Sequence, residues 1–170
     1  ACGLRWSDID WRQRALHVRR NVVKLSRQPI MVKEPKTRAG VRVVYLSKDM
    51  CKLLRAWEKE CQWEKEQRGD EELTQDDYLF QQSNGDPMVP CTFTYRFKMI
   101  LRENGLPDDL NVHSLRHTNA SMLIAQGVDV RTVAGLLGHA QPSTTLDIYS
   151  HAFDKNKRLA GQKLSEAIGL

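Results

Sequence analysis

From Ala15 to Val23 the chain alternates apolar and polar positions with a period near two, which predicts a strand with one buried face. Ile30–Val32 and Val41–Leu46 are two shorter strand candidates. Between them lies Pro35-Lys36-Thr37-Arg38-Ala39-Gly40, whose proline and glycine mark a turn. The first third is therefore predicted to be a small antiparallel sheet with a basic hairpin tip.

From Ser47 the period changes. Ser47 can cap a helix running to about Arg68, with Met50, Leu53, Leu54, Trp57 and Cys61 on one side and Lys and Glu on the other. Gly69 to Asp77 is an acidic loop, Tyr78-Leu79-Phe80 a short apolar piece, and Asn84-Gly85-Asp86-Pro87 a turn. Phe93, Phe97, Ile100 and Leu101 repeat at helical spacing between Thr92 and about Asn104, and Gly105 closes that helix.

The final third predicts a series of short helices. His113 to Gln126 carries Leu115, Met122 and Leu123 inward and ends at Gly127. Asp129 begins the next, with Val133, Leu136 and Leu137, which stops at Gly138. A third starts near Pro142 and contains Leu146, Ile148 and Tyr149. Asp154 can cap a last one, striped by Leu159, Ala160, Leu164, Ala167 and Ile168. The pattern as a whole predicts an α+β fold, mainly α, with a helical core and a small antiparallel β-sheet near the N-terminus.

Composition narrows the classes. With 170 residues, 41% of them hydrophobic, the chain can bury the core of one domain. No apolar run approaches the roughly 18 residues a membrane span needs. No charged-then-apolar leader opens it, and a start at Ala1 without Met leads us to expect a piece of something longer. Cys2, Cys51, Cys61 and Cys91 show no CxxC spacing and fit reduced packing thiols of a cytoplasmic protein. The net charge of +5 is unevenly spread. Residues 1–48 hold 12 basic and 3 acidic side chains, residues 49–90 hold 5 and 11, and residues 91–170 hold 9 and 7. A basic first third beside an acidic middle suggests a polyanion-binding face and a separate solvated face.

Three polar clusters have the residue types that phosphate chemistry uses. In His113-Ser114-Leu115-Arg116, helical spacing puts imidazole and guanidinium on one side. Arginine offers a planar fork to phosphate oxygens, and histidine exchanges protons near neutral pH. Such a pair also occurs as an ordinary surface pair. In Leu136-Leu137-Gly138-His139, the glycine frees the backbone at a helix end, and Tyr149 follows ten residues after His139. A phenol with its ordinary pKa near 10 needs cationic neighbours or a base to act as a nucleophile. Taken alone, Tyr149 equally fits a half-buried tyrosine with a satisfied hydroxyl. Lys36 in the hairpin tip is either solvated or able to reach a DNA backbone.

The order Lys, His-x-x-Arg, Gly-His, Tyr is more specific than its parts, and on these motifs the chain resembles the tyrosine recombinases of the phage-integrase family. Val112-His113-Ser114-Leu115-Arg116-His117-Thr118 looks like the family's HxLRHT box. Val133 to Ala140, followed by Ser143-Thr144-Thr145 and Tyr149, is similar to its LGH…T…Y segment. Glu34-Pro35-Lys36-Thr37 resembles the PKT turn, and Leu4-Arg5-Trp6-Ser7-Asp8-Ile9-Asp10 the LxWxDID segment. The resemblance covers nearly the whole chain. It implies that residues 1–170 form a tyrosine recombinase catalytic domain without its extreme N-terminal part and without a core-binding domain.

The resemblance also implies roles. Tyr149 would be the nucleophile that forms a 3′-phosphotyrosyl link in site-specific DNA integration and recombination. Arg116 and His139 would hold the phosphate, His113 would accept the phenol proton, and Lys36 would protonate the departing 5′-oxygen. Lys36, Arg38, Arg116 and His139 would contact DNA. No metal and no cofactor is implied. His113 and His117 sit four apart like two zinc ligands, but no glutamate lies between them, so His117 reads as structural. The family's other essential arginine falls before Ala1. Arg5 occupies a different position and is not assigned to catalysis. If nothing precedes Ala1, the chain is expected to be inactive or impaired. The implied partners are double-stranded DNA attachment sites and a homotetramer on DNA with the C-terminal segment docking in trans. No membrane is implied, and the setting is a bacterial cytoplasm, encoded by the host or by a phage or mobile element. Two alternatives remain at this point: a type IB topoisomerase-like enzyme, and a non-catalytic DNA-binding remnant of the fold.

Overall fold

The computed structural model describes residues 1–70 and 72–138, together with Ser143 and Ser165. The chain forms two compact units, Ala1–Tyr95 and Arg96–Leu170. The segments predicted as helices from Pro142 and from Asp154 lie outside the described residues.

The first unit begins with a short 3-10 turn, Trp6–Asp8, leading into β1 (Ile9–Asp10). β2 (Ala15–Val18) lies at the centre of an antiparallel sheet between β1 and β5 (Arg42–Tyr45), with Leu16 opposite both Ile9 and Val44. β3 (Asn21–Val23) and β4 (Met31–Lys33) form a separate two-stranded ribbon, with Val22 opposite Val32. The continuous strand expected over Ala15–Val23 is thus two strands that pair with different partners. The break falls at Arg19-Arg20, the start of three successive polar residues, Arg19 to Asn21, that interrupt the alternation. There the Arg20 guanidinium turns back to donate to the Asp8 carboxylate at 2.7 Å, and Asp8 is only 1% exposed.

The expected hairpin tip also moves. β4 pairs with β3 and β5 with β2, so residues 34–41 are not a hairpin loop but the return from ribbon to sheet. The turn of the ribbon lies over residues 24–30, where Gln28 N–H donates to the Leu25 carbonyl and Arg27 adopts φ +58°.

α1 (Lys48–Arg68) starts and ends where the sequence predicts: the Ser47 hydroxyl accepts from Met50 N–H, and Gly69 takes the left-handed conformation at φ +74°. Its inward stripe is narrower than expected. Cys61 is buried and Leu54 and Trp57 pack on the core, but Met50 and Leu53 are exposed. Leu53 lies one residue, about 100° of helix rotation, from the Leu54 stripe, and Met50 is in the first turn. The core comprises Trp6, Ile9, Cys61 and Leu79. Leu79 is anchored twice, its N–H to the Leu4 carbonyl at 2.9 Å and its carbonyl to the Trp57 indole N–H at 2.7 Å.

α2 (Pro90–Glu103) spans the boundary between the units and stops at Gly105, φ +62°. In the second unit, α3 (Val112–Ala125) and α4 (Val130–Leu137) pack through Ala120, Ile124, Val133 and Leu137, with Leu123 and Val128 against them. Leu115 and Met122, expected inward, are exposed by more than half. The contact line runs through Ala120 instead, because a small residue lets two helix backbones approach closely, whereas the pattern of large apolar residues points elsewhere. Among the described residues, no helix is long and apolar enough to cross a membrane.

Candidate active site

The second unit positions His113 and Arg116. Asn111 caps α3 reciprocally with Ser114: the Asn111 side chain accepts from Ser114 N–H at 3.0 Å, and the Ser114 hydroxyl accepts from Asn111 N–H at 3.2 Å. This fixes the first turn, which carries His113 exposed to solvent, while Arg116, one turn on, is half-buried. The Arg116 Nη2 donates to the Leu137 carbonyl at 2.5 Å. That carbonyl is at the last residue of α4, where the helix leaves its terminal acceptors unpaired and its dipole favours a cation. Gly138 ends α4 at φ +73°, a conformation that suits glycine.

α4 is held at its other end too. The Asp129 carboxylate caps it by accepting from Thr132 N–H and from the Thr132 hydroxyl. These bonds, the hydroxyl first, hold the Asp129 carboxyl below the usual carboxylate range. The arrangement gives a guanidinium with one donor spent on orientation and the others of its fork available, beside an exposed imidazole. Such a pair can bind an anionic oxygen and accept a proton. The rings of His113 and His117 lie 6.1 Å apart. Among the described residues no cluster of three or more His, Cys, Asp or Glu could hold a metal ion.

In the first unit, Lys36 and Arg38 are both exposed on the return from β4 to β5. The Thr37 hydroxyl caps the 3-10 turn Arg38–Gly40 by accepting from Gly40 N–H. A Cβ at Gly40 would lie 2.4 Å from the Cβ of Pro35, so only glycine fits this turn without displacing the proline. Gly40→Ala is expected to lower stability by about 1–3 kcal/mol through overpacking, read as a reduced midpoint in a thermal melt. An unchanged melt would mean that Pro35 moves aside freely.

Of the residues singled out in the sequence, His113 and Arg116 are brought together on α3, and Lys36 and Arg38 share one turn of the other unit. His139 and Tyr149 lie outside the described residues. Arg5 is engaged elsewhere: its guanidinium donates to Asp76 at 3.1 Å and sits 5.0 Å from the centre of the Tyr78 ring. The Leu137 carbonyl as the orienting partner of Arg116 has no sequence signal, because any residue at that position supplies the same acceptor.

Comparison with known proteins gives a consistent picture. The family model described as phage integrase family matches residues 1–156. The ICEBs1 integrase of Bacillus subtilis (strain 168) is 30% identical over 97% of this chain and 44% of its own length. A tyrosine recombinase XerC-like protein of Caldanaerobacter subterraneus subsp. tengcongensis is 29% identical over 96% of this chain and 44% of its own. The chain thus spans less than half the length of these curated relatives. Among solved structures, the Tn1549 transposon integrase in complex with transposon right end DNA superposes with a TM-score of 0.76, at 23% identity, over 95% of this chain and 52% of that one. The XerA recombinase superposes at 0.66, with 23% identity, over 95% of this chain and 50% of that one. The fold is that of tyrosine recombinase catalytic domains, and the chain belongs to the phage integrase family.

Proposed function

We propose that this chain is the catalytic domain of a site-specific DNA recombinase, an integrase that cuts and rejoins DNA through a 3′-phosphotyrosyl intermediate. The observation that carries the reading is the half-buried Arg116, aimed by the Leu137 carbonyl at the end of α4 and one helical turn from His113. Family membership and the four motif segments in order support it.

In the proposed reaction the Tyr149 hydroxyl oxygen attacks the scissile phosphorus while His113 takes the phenol proton. Arg116 and His139 hold the non-bridging oxygens as negative charge builds. The bond from phosphorus to the 5′-oxygen breaks, and Lys36 supplies the proton that leaves a free 5′-hydroxyl. Rejoining is the reverse, with a 5′-hydroxyl of another strand as attacker. The covalent link conserves the phosphodiester bond energy, so the scheme requires no nucleotide and no cofactor. Lys36 and Arg38 would track the DNA backbone. An arginine upstream of Ala1 would complete the phosphate clamp. The functional form on DNA would be a homotetramer on double-stranded attachment sites with the C-terminal segment docked in trans, in a bacterial cytoplasm.

The test is covalent capture. The full-length protein is incubated with a nicked suicide duplex bearing its attachment site, and the adduct is digested and mapped by mass spectrometry. The expected result is a 3′-phosphonucleotide on Tyr149. Salt-sensitive binding with no adduct would instead leave a DNA-binding remnant of the fold.

A further inference from the structure

In the first unit, outside the residues assigned to catalysis, an open groove of about 650 Å³ runs between the β1–β2 turn and the first three turns of α1. Trp11 and Arg14 form one wall and Lys48, Lys52, Arg55 and Lys59 the other. The four helix cations follow the spacing i, i+4, i+7, i+11, so they lie on one face in a line about 16 Å long, with neighbours about 5–6 Å apart. This is the reverse of what the surrounding sequence suggests, since residues 49–90 carry 11 acidic side chains against 5 basic.

The wall is partly preset. The Arg55 guanidinium stacks 3.6 Å from the centre of the Trp11 ring and is held by Glu58 at 2.6 Å. Lys52 meets Asp49 at 3.1 Å, a pair in which both side chains are almost fully exposed and which therefore contributes little. Among the described residues, Arg14, Lys48 and Lys59 have no ion-pair partner, and all three are exposed. Arg14 is projected by a left-handed turn at φ +52°, whose carbonyl accepts Leu46 N–H at 2.7 Å.

We propose that this groove is a second DNA-contact surface, one that binds backbone phosphates of duplex flanking the cleaved site. The inference rests on the recombinase reading above. A row of cations about 16 Å long suits a polymer of closely spaced negative charges, and a DNA strand, with one phosphate per about 3.4 Å of helix axis, sets several phosphates along that length. The acidic loop of a second copy fits less well. Its three aspartates are already engaged within their own chain: Asp70 by Arg68 at 2.7 Å, Asp76 by Arg5 at 3.1 Å and Asp77 by Lys65 at 2.9 Å. The contact would carry no sequence information and would set register and footprint.

The test is the salt dependence of binding to a 30-bp duplex of arbitrary sequence, followed by fluorescence anisotropy, for the parent chain and the triple variant Lys48→Gln, Lys52→Gln, Lys59→Gln. Glutamine keeps helix propensity, and a thermal melt checks that the fold is retained. Loss of three phosphate contacts should flatten the slope of log affinity against log salt by about 2.7, so the variant loses about 40-fold less affinity than the parent between 50 and 200 mM salt. An unchanged slope with binding intact overturns the groove and leaves the recombinase reading standing. A parent chain with no salt-sensitive DNA binding overturns both. Self-association in sedimentation that is lost in the variant, with the slope unchanged, would assign the groove to an acidic protein surface and overturn the DNA contact.

Discussion

Replacing Arg116 by lysine is expected to slow covalent capture of a nicked suicide duplex by about 10²–10³, the usual cost of one preorganised donor at a developing oxyanion. Lysine keeps the charge but not the fork. The guanidinium can give one N–H to the Leu137 carbonyl and still present others, in a fixed plane, to a phosphate. An ammonium that takes that carbonyl points its remaining protons along a flexible stem. Helix propensity is nearly the same, so thermal stability should change little, and DNA affinity should fall far less than the capture rate. Single-turnover capture at saturating protein reads the chemical step apart from binding. A variant that captures within about threefold of the parent would remove Arg116 from the reaction.

The second large effect is expected in folding. Asp8 is 1% exposed, and one of its carboxylate oxygens accepts both from Arg20 at 2.7 Å and from Arg5 N–H at 2.9 Å. Removing one partner of a buried ion pair leaves an uncompensated charge, which costs about 3–5 kcal/mol. Arg20→Met should fall at the low end, because the Arg20 side chain is itself about a quarter exposed and water can enter. Adding Asp8→Asn to Arg20→Met should restore part of the loss. The amide oxygen still accepts from Arg5 N–H, and no buried charge remains. Chemical denaturation of the two single variants and the double variant closes the cycle. If the double variant falls as far as the sum of the singles, the pair is not coupled, and the break at Arg19-Arg20 needs another cause.

These two predictions draw on different kinds of legibility. The His113–Arg116 spacing was readable as one helix face, and the helix ends at Gly69, Gly105 and Gly138 were readable because glycine serves the left-handed backbone there. Ser47 and Asp129, the starts that the sequence offers for α1 and α4, each cap their helix through a side-chain oxygen. Such signals are local: a few adjacent residues satisfy each other, and the pattern survives in one dimension.

What failed to show in the sequence is long-range. Ala15–Val23 alternates almost throughout, yet its two halves belong to different sheets, because the first half pairs with β5, as far on as Ala15 with Tyr45, while the second pairs with the nearer β4, as Val22 with Val32. Leu115 and Met122 look like core by size, but Ala120 lies at the helix contact, a choice made by the approach of α4. The cationic line of α1 resembled a solvated face until the β1–β2 turn brought Trp11 and Arg14 against it. By itself, then, the sequence determined the described helices, from α1 to the end of α4 at Gly138, and the family's motif order, since each depends on neighbours along the chain. Only the tertiary structure decided strand pairing, the buried Asp8–Arg20 pair, the carbonyl that aims Arg116 and the wall opposite α1. Each of those is a contact whose partner is named by packing rather than by sequence distance.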